Sequence, residues 1–242
     1  MADIAPAPST GSTSLVARIP GVIFSPRATY ADVAARPRAL GTLAFVLIIS
    51  IAGTFAFLST EVGEQAMLDR QVRTIESFGM TIDDAAYELM VQGAGRAKYF
   101  GAVGQLITLP LVALAVAGIA FAVFNAVMGG DATFKQLFAV VSHSGIVIAL
   151  SQVFGLPLAY ARENMSGATN LAVFAPFLDE NTFPARVLGS VDLFILWWAV
   201  SLAIGLGVLY KKRTGPIATT LIVAYVAIGV IIAAVKSAVS GV

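Results

Sequence analysis

The sequence predicts an all-α membrane protein: a five-transmembrane-helix bundle with an N-terminal interfacial segment and an extracytoplasmic helical hairpin. Composition is the first reason. Apolar side chains make up 58% of the 242 residues and charged ones 12%, with a mean hydropathy of +0.86, which is too apolar for a soluble globular domain. The second reason is a series of apolar stretches, each long enough to cross a hydrocarbon layer of about 30 Å as a helix rising about 1.5 Å per residue.

The N-terminal part predicts two different segments. Residues 1–14 are small, polar and proline-containing, without a basic start followed by an apolar run, so we expect a disordered cytoplasmic tail rather than a signal peptide. Residues 15–39 mix apolar side chains with arginines, and Pro20, Pro26 and Pro37 argue against one continuous helix. This pattern favours an interfacial segment on the cytoplasmic headgroups, with a partly ordered leader as the alternative.

Five apolar stretches then predict the membrane spans, separated by polar segments with turn residues. Residues 59–98 are polar and contain two helical patterns that meet at Gly79, a residue typical of a helix C-terminus, so we expect a helical hairpin outside the membrane. Pro110 predicts a kink, and Gly129-Gly130-Asp131 predicts a tight turn. The predicted spans cover residues 40–58, 99–128, 134–158, 188–210 and 216–236.

The distribution of charge predicts the orientation of these spans. Lys211, Lys212 and Arg213 directly follow the fourth span, and cations of this kind mark the cytoplasmic side. The short segments on the same side of the membrane as the N-terminus are dense in cations, whereas the long loops on the other side of the membrane carry most of the acids. We therefore expect a multi-pass protein of the cell (inner) membrane, with a cytoplasmic N-terminus and an extracytoplasmic C-terminus.

The composition also argues against several classes of chemistry. The chain has no Cys and one His, so neither a Cys-ligated nor a multi-His metal site is expected, and no cofactor is predicted. A net charge of +1, with one short basic block at 211–213, argues against a nucleic-acid partner. No combination of catalytic residues stands out, so the sequence does not predict an enzyme.

Three polar residues inside the predicted spans form a candidate intramembrane polar site. Asp192 lies just inside the fourth span, Gln152 falls at a similar depth in the third, and His143 lies nearer the cytoplasmic side. One interpretation of Asp192 is an ion or proton site that opens outward. The other is a structural residue that caps a helix or makes a buried hydrogen bond. His143 is either part of a proton relay or a hydrogen-bonded packing residue.

A second candidate site is a set of cations that we expect to contact lipid headgroups on the cytoplasmic side, because basic side chains at that surface attract anionic phosphate. The set combines the arginines of residues 15–39 with the block after the fourth span. Its members are Arg18, Arg27, Arg36, Arg38, Lys211, Lys212 and Arg213.

Three strings stand out in order along the chain: the proline-broken segment Arg18-Ile-Pro-Gly through Arg36-Pro37, the turn and span Gly129-Gly130-Asp131 through Ser142-His143-Ser144, and Val191-Asp192-Leu-Phe through Gly205. Together they resemble bacterial proteins of the Yip1 family. The resemblance implies a five-helix membrane domain over residues 40–242. His143 stands where relatives often have Tyr, which weakens a special role for the ring.

The resemblance also implies a general role. Eukaryotic relatives take part in vesicle traffic and contact small GTPases of the Rab class, but the long cytosolic domain they use is reduced here to residues 1–39, so that activity is not carried over. We expect a non-enzymatic membrane-organising or adaptor protein that acts through helix and lipid contacts. Its partners would be the bilayer and a membrane protein or a second copy. The alternative is a small transporter or channel with a polar path near Asp192.

Overall fold

The computed structural model describes residues 14–165, 167, 169–179 and 182–240, so the predicted tail lies, apart from Ser14, outside the described residues. The described residues form eleven α-helices, a π-helical turn at Ala122–Val127 and a 3₁₀ turn at Leu171–Phe174. The α-helices are α1 (Leu15–Phe24), α2 (Pro26–Ala35), α3 (Leu40–Phe57), α4 (Glu61–Glu76), α5 (Asp84–Ala94), α6 (Ala97–Phe121), α7 (Phe134–Ser144), α8 (Ile146–Ala161), α9 (Phe183–Ser190), α10 (Leu193–Leu209) and α11 (Thr214–Ser240).

Four of these helical segments are long and apolar enough to cross a membrane: Leu40–Phe57, Ala97–Val127, Phe134–Ala161 and Thr214–Val239. The third consists of α7 and α8 joined at Gly145. Apolar side chains along α6 and α11, such as Leu106, Ile107 and Ile231, are more than half exposed and meet lipid in a membrane. The prediction of an all-helical, multi-pass membrane protein is thus confirmed.

The fourth predicted span differs from the expected continuous helix over residues 188–210. α9 ends at Ser190, Val191 has extended backbone angles, and α10 begins at Leu193. The break arises because Asp192 acts as the N-cap of α10, a role that requires non-helical backbone. α10 therefore has 17 residues and measures about 26 Å.

The long helices run between two ends of the bundle. Residues 15–39 form the helix pair α1 and α2, which we call the leader. The end of the bundle that carries this pair is called the leader end. The end of α10 and the start of α11 lie there too, since Arg27 of the leader donates a hydrogen bond to Thr214 (3.4 Å). The opposite end carries α4, α5 and α9, where Phe57 of α3 and Ala159 of α8 share an apolar cluster with Ala66 of α4.

α7 lies at the centre of the bundle, because every side chain from Ala139 to Ser144 is buried. It packs against the leader, α3, α6 and α10. The main apolar core joins these elements through Tyr30, Val46 and Leu202, among others. The core is therefore concentrated towards the leader end, and it places the leader inside the packed part of the protein.

The polar segment after α3 contains two helices, α4 and α5, whose N-caps are Thr60 and Asp83. Gly79 between them has a φ of +73°, the left-handed conformation that favours glycine at this predicted turn. α4 buries Ala66 and Leu68, whereas α5 buries no residue. The segment thus rests on the bundle through α4.

Candidate functional site

The leader is anchored in the bundle by Tyr30 of α2. The Tyr30 side chain is fully buried, and its hydroxyl lies 2.7 Å from the Ser201 hydroxyl on α10. Gly205, one turn further along α10, has no side chain, and a Cβ there would lie 3.0 Å from the Tyr30 ring. Burial raises the pKa of Tyr30, so the phenol remains protonated and able to hydrogen-bond. The small residues of α10 thus receive the aromatic ring of the leader.

A buried ion pair holds the two leader helices together. The Arg18 side chain is 3% exposed, and its Nη2 lies 2.7 Å from Oδ2 of Asp32. Arg18 also donates to the Arg36 carbonyl oxygen at 3.2 Å, and Arg36 approaches the other Asp32 oxygen at 3.6 Å. α1 and α2 fold back on each other at Ser25, which brings Arg18 opposite Asp32. One acidic side chain therefore serves both helices of the leader.

The position of Arg18 corrects its expected role. We predicted that Arg18 contacts lipid headgroups, but its guanidinium is buried and engaged by Asp32. A charge removed from water in this way is held by its partner, not by solvent-exposed phosphate. Arg27 and Arg38 of the leader are exposed, as are Lys211, Lys212 and Arg213, and Arg36 is partly exposed. These six remain a predicted headgroup-contact set at the leader end.

His143 of α7 lies within hydrogen-bond distance of Thr42 on α3 and of a backbone carbonyl on α7 itself. Its Nδ1 lies 2.7 Å from the Ala139 carbonyl oxygen and its Nε2 lies 3.0 Å from the Thr42 hydroxyl. Because a carbonyl oxygen can only accept, Nδ1 carries the proton and Nε2 accepts from Thr42. The ring is fully buried. This geometry suits a packing histidine, the second of the two roles considered for it.

Asp192 organises the start of α10 at the opposite end. Its Oδ1 accepts from the backbone N–H groups of Phe194 (2.8 Å) and Ile195 (3.2 Å), and its Oδ2 accepts from the Thr169 hydroxyl. Its own N–H donates to the Tyr225 hydroxyl at 2.9 Å, which in turn donates to the Ser190 carbonyl oxygen at 2.7 Å. Asp192 thus ties the preceding loop and α11 to the first turn of α10.

The three residues of the predicted polar site do not share a hydrogen bond in the part of the chain that the structure describes. Asp192 and His143 bond the separate partners given above. Gln152 lies half-buried on α8 and is bonded to neither of them. A site formed by Asp192, Gln152 and His143 together remains a prediction to which this arrangement adds no support.

A contact that the sequence did not reveal closes the leader end between α6 and α10. The Tyr210 hydroxyl donates to Asn125 Oδ1 at 2.6 Å, Asn125 donates to the Ala132 carbonyl oxygen at 2.6 Å, and the Phe124 and Tyr210 rings stack at 4.7 Å. Asn125 and Phe124 lie in the π-helical turn, a rare conformation often found at functional sites. Gly130 fits beneath Tyr210, since a Cβ there would lie 2.6 Å from the ring.

The one sequence signal for this contact was an amide inside an apolar run, Asn125, a few residues before the Gly129-Gly130 turn. Its partner is 85 positions away, which no local pattern reveals. The contact fixes the end of α10 immediately before Lys211, which has a φ of +53°. The basic block 211–213 is thereby held at a defined place on the leader end.

Comparison with known proteins agrees with the resemblance noted in the sequence. A family model described as the Yip1 domain matches residues 21–235, which run from the end of α1 through α2 and the long helices into α11. No curated protein and no solved structure matches the chain.

Proposed function

This chain belongs to the Yip1 family, and on that premise we propose that it is a five-span membrane protein that acts as an adaptor or membrane-organising protein without enzymatic chemistry. The observation that carries the proposal is the burial of the leader. Tyr30 and the Arg18–Asp32 pair fix α1 and α2 against the bundle, so the leader presents a constant surface beside the membrane. A preformed surface of this kind reduces the entropy lost on binding a partner.

We propose that α10 also crosses the membrane, as the fourth span in chain order, which brings the number of spans to five. Its helix of about 26 Å is a few ångströms shorter than the hydrocarbon core, a mismatch that a membrane accommodates at modest cost. α10 begins with Asp192 at the opposite end and finishes with Tyr210 against Asn125 at the leader end. Both neighbours of α10 in the chain support a crossing, because α9 lies at the opposite end and α11 starts at the leader end.

We propose that the leader end faces the cytoplasm. Arg27, Arg38 and the block 211–213 are exposed there, in short segments where cations determine orientation. The N-terminal tail would then be cytoplasmic, residues 15–39 would lie at the inner interface, and residues 59–98 with the C-terminus would lie outside the cell (inner) membrane.

The absence of Cys from the chain permits a direct test of this topology by single-cysteine labelling. Ala28→Cys and Lys212→Cys report on the leader end, and Glu88→Cys and Arg162→Cys report on the opposite end; all four positions are exposed. A membrane-impermeant maleimide added to intact cells is expected to label the thiols introduced at positions 88 and 162, and to reach positions 28 and 212 only after lysis. Labelling of positions 162 and 212 from the same side would refute the α10 crossing.

Site-specific photocrosslinking tests the adaptor role. A photoreactive amino acid is placed at Ala28 or Ala31 on the exposed leader surface, and at Ile48 or Ile107 on membrane-facing helices. Irradiation of living cells is expected to give adducts of discrete mass with a membrane protein or a second copy, from at least the leader positions. Unreacted monomer from all four positions would reject the adaptor role.

The transporter alternative lacks comparable support. Asp192 is occupied by helix-capping and loop contacts, and His143 is buried between α7 and α3. A polar path would require these groups to line one cavity, whereas they bond separate neighbours. We therefore prefer a role that depends on surfaces to one that depends on a pore.

A further inference from the structure

An apolar groove lies between α6 and α11 on the outside of the bundle, with α10 as its floor. Its volume is about 470 Å³. Ile119 of α6 and Val123 of the π-helical turn that follows it form one wall, and Ile217 and Leu221 of α11 form the other. Trp198 and Leu206 of α10 lie beneath. α6 and α11 are therefore separated above α10, and the groove between them opens towards the lipid.

The groove presents hydrocarbon to the membrane. Ile119 is 66% exposed and Val123 is 43% exposed, so the α6 wall is not covered by the rest of the chain. Thr220 also lines the groove, but its hydroxyl donates to the Pro216 carbonyl oxygen at 3.0 Å and is therefore satisfied. An apolar surface of this shape suits an extended apolar occupant, because it offers dispersion contacts and requires no polar partner.

The length of the groove matches one leaflet. From Leu206 to Trp198, the floor extends about 12 Å along α10 at about 1.5 Å per residue. One leaflet contributes about 15 Å, half of a hydrocarbon core of about 30 Å. The groove starts at the leader end, where Pro216 lies in the first turn of α11, and reaches towards the middle of the membrane.

Four cations lie next to the start of α11, at the leader-end mouth of the groove. Lys211, Lys212 and Arg213 are exposed and directly precede α11, and the exposed Arg27 donates to Thr214, the first residue of α11. The structure gives none of these four an ion pair with another described residue. Lys211 adopts a left-handed conformation that favours glycine, and the next N–H, of Lys212, bonds the Gly207 carbonyl oxygen at 2.8 Å. The turn thus holds the cations at the mouth.

We infer that the groove binds one anionic phospholipid, with an acyl chain along α10 and the phosphate against Arg27, Lys211, Lys212 and Arg213. Charge complementarity selects this occupant. A second copy in the same membrane orientation, seated face to face on this groove, would bring its own basic mouth against this one. The inference deepens the proposed lipid-contact role. Its assignment to the cytoplasmic leaflet rests on the proposed orientation, but the binding does not depend on an adaptor partner.

Tryptophan quenching tests the inference on the full chain. The chain contains two Trp residues, and Trp197→Phe leaves Trp198, on the floor of the groove, as the sole tryptophan. The protein is reconstituted in phosphatidylcholine vesicles that contain either phosphatidylglycerol or phosphatidylcholine with brominated acyl chains, which quench Trp on contact. Brominated phosphatidylglycerol is expected to quench Trp198 at a mole fraction about fivefold lower than brominated phosphatidylcholine, the effect of about one cation at an anionic surface.

Two matched pairs of variants in this background separate the basic mouth from the groove. Neutralising Lys211, Lys212 and Arg213 to Gln removes three of the four cations and is expected to reduce the preference for phosphatidylglycerol, whereas Gln at the exposed Arg70, Arg96 and Arg162 of the opposite end preserves it. Thr220→Phe fills the groove and is expected to reduce quenching by both lipids. Val223→Phe, on the same helix but outside the groove, leaves quenching unchanged.

Several results would overturn the inference. Equal quenching by the two brominated lipids in the parent protein would show that the groove does not select anionic lipid. Shielding of Trp198 from both lipids would show that a second copy or another helix covers the groove. If neutralising the basic block prevents folding, the comparison of Thr220→Phe with Val223→Phe still tests whether lipid occupies the groove. Identical quenching in those two variants would refute groove binding. Lipid selectivity with no photocrosslinks would retain this inference and remove the adaptor role.

Discussion

Asp32→Ala is expected to loosen the packing of α1 on α2 and to lower the free energy of unfolding by about 3–5 kcal/mol, the typical cost of removing one partner of a buried ion pair. The replacement leaves the Arg18 guanidinium, 3% exposed, without its carboxylate. Arg18 then either stays buried as an unpaired charge or moves to solvent, and the second outcome separates α1 from α2. Thermal unfolding of the purified protein and limited trypsin digestion of the leader measure the two effects.

The control variants separate loss of the pair from loss of charge. Asp131→Ala removes an exposed acid at the same end and is expected to change stability by less than about 0.5 kcal/mol. The double variant Arg18→Met with Asp32→Leu replaces both partners by apolar side chains and is expected to recover most of the stability, because no buried charge remains. An Asp32→Ala protein as stable and as resistant to trypsin as the Asp131→Ala protein would contradict the buried pair.

The apolar runs and turn residues were sufficient to predict the helices themselves. The predicted first, second and fifth spans agree with α3, α6 with its π-helical turn, and α11 to within a few residues, because a run without charges has one stable conformation in a membrane. Pro20 and Pro26 behaved differently from each other. The helix break falls at Ser25, and Pro26 occupies the first turn of α2, where its missing N–H costs nothing, whereas Pro20 lies within α1.

The contacts at the candidate site could not be predicted in the same way, because each depends on two segments meeting. The sequence predicted that Arg18 contacts lipid headgroups, but in the fold its side chain bonds Asp32, which lies 14 positions away in the chain. Asp192 was considered as an ion site or as a helix cap, and only its contacts with the preceding loop and the first turn of α10 show that both carboxylate oxygens are engaged. The sequence pattern indicates which residues are costly in a membrane, and the tertiary structure determines how that cost is met.

The fit of Tyr30 against α10 leads to the second large effect, that of Gly205→Leu. A Cβ at position 205 would lie 2.5 Å from Val140 Cγ1 and 3.0 Å from the Tyr30 ring, and a Leu adds three further carbons. Such overpacking costs about 1–3 kcal/mol. Displacing Tyr30 also breaks its hydrogen bond to Ser201, which contributes about 1 kcal/mol. We expect a lower unfolding temperature and a leader that trypsin cleaves faster.

Gly104→Leu is the matched control, because no atom lies within 4 Å of a Cβ at Gly104 on the exposed face of α6. It is expected to preserve stability, since Leu favours helix more than Gly does. Tyr30→Phe removes only the hydroxyl and should fall between the two. If the docked leader is the surface that partners recognise, photocrosslinks from Ala28 should disappear in the Gly205→Leu protein and persist in the Gly104→Leu protein. Equal crosslinking in both variants would show that partner binding does not require the docked leader, because position 28 would then contact the partner whether or not Tyr30 holds α2 against α10.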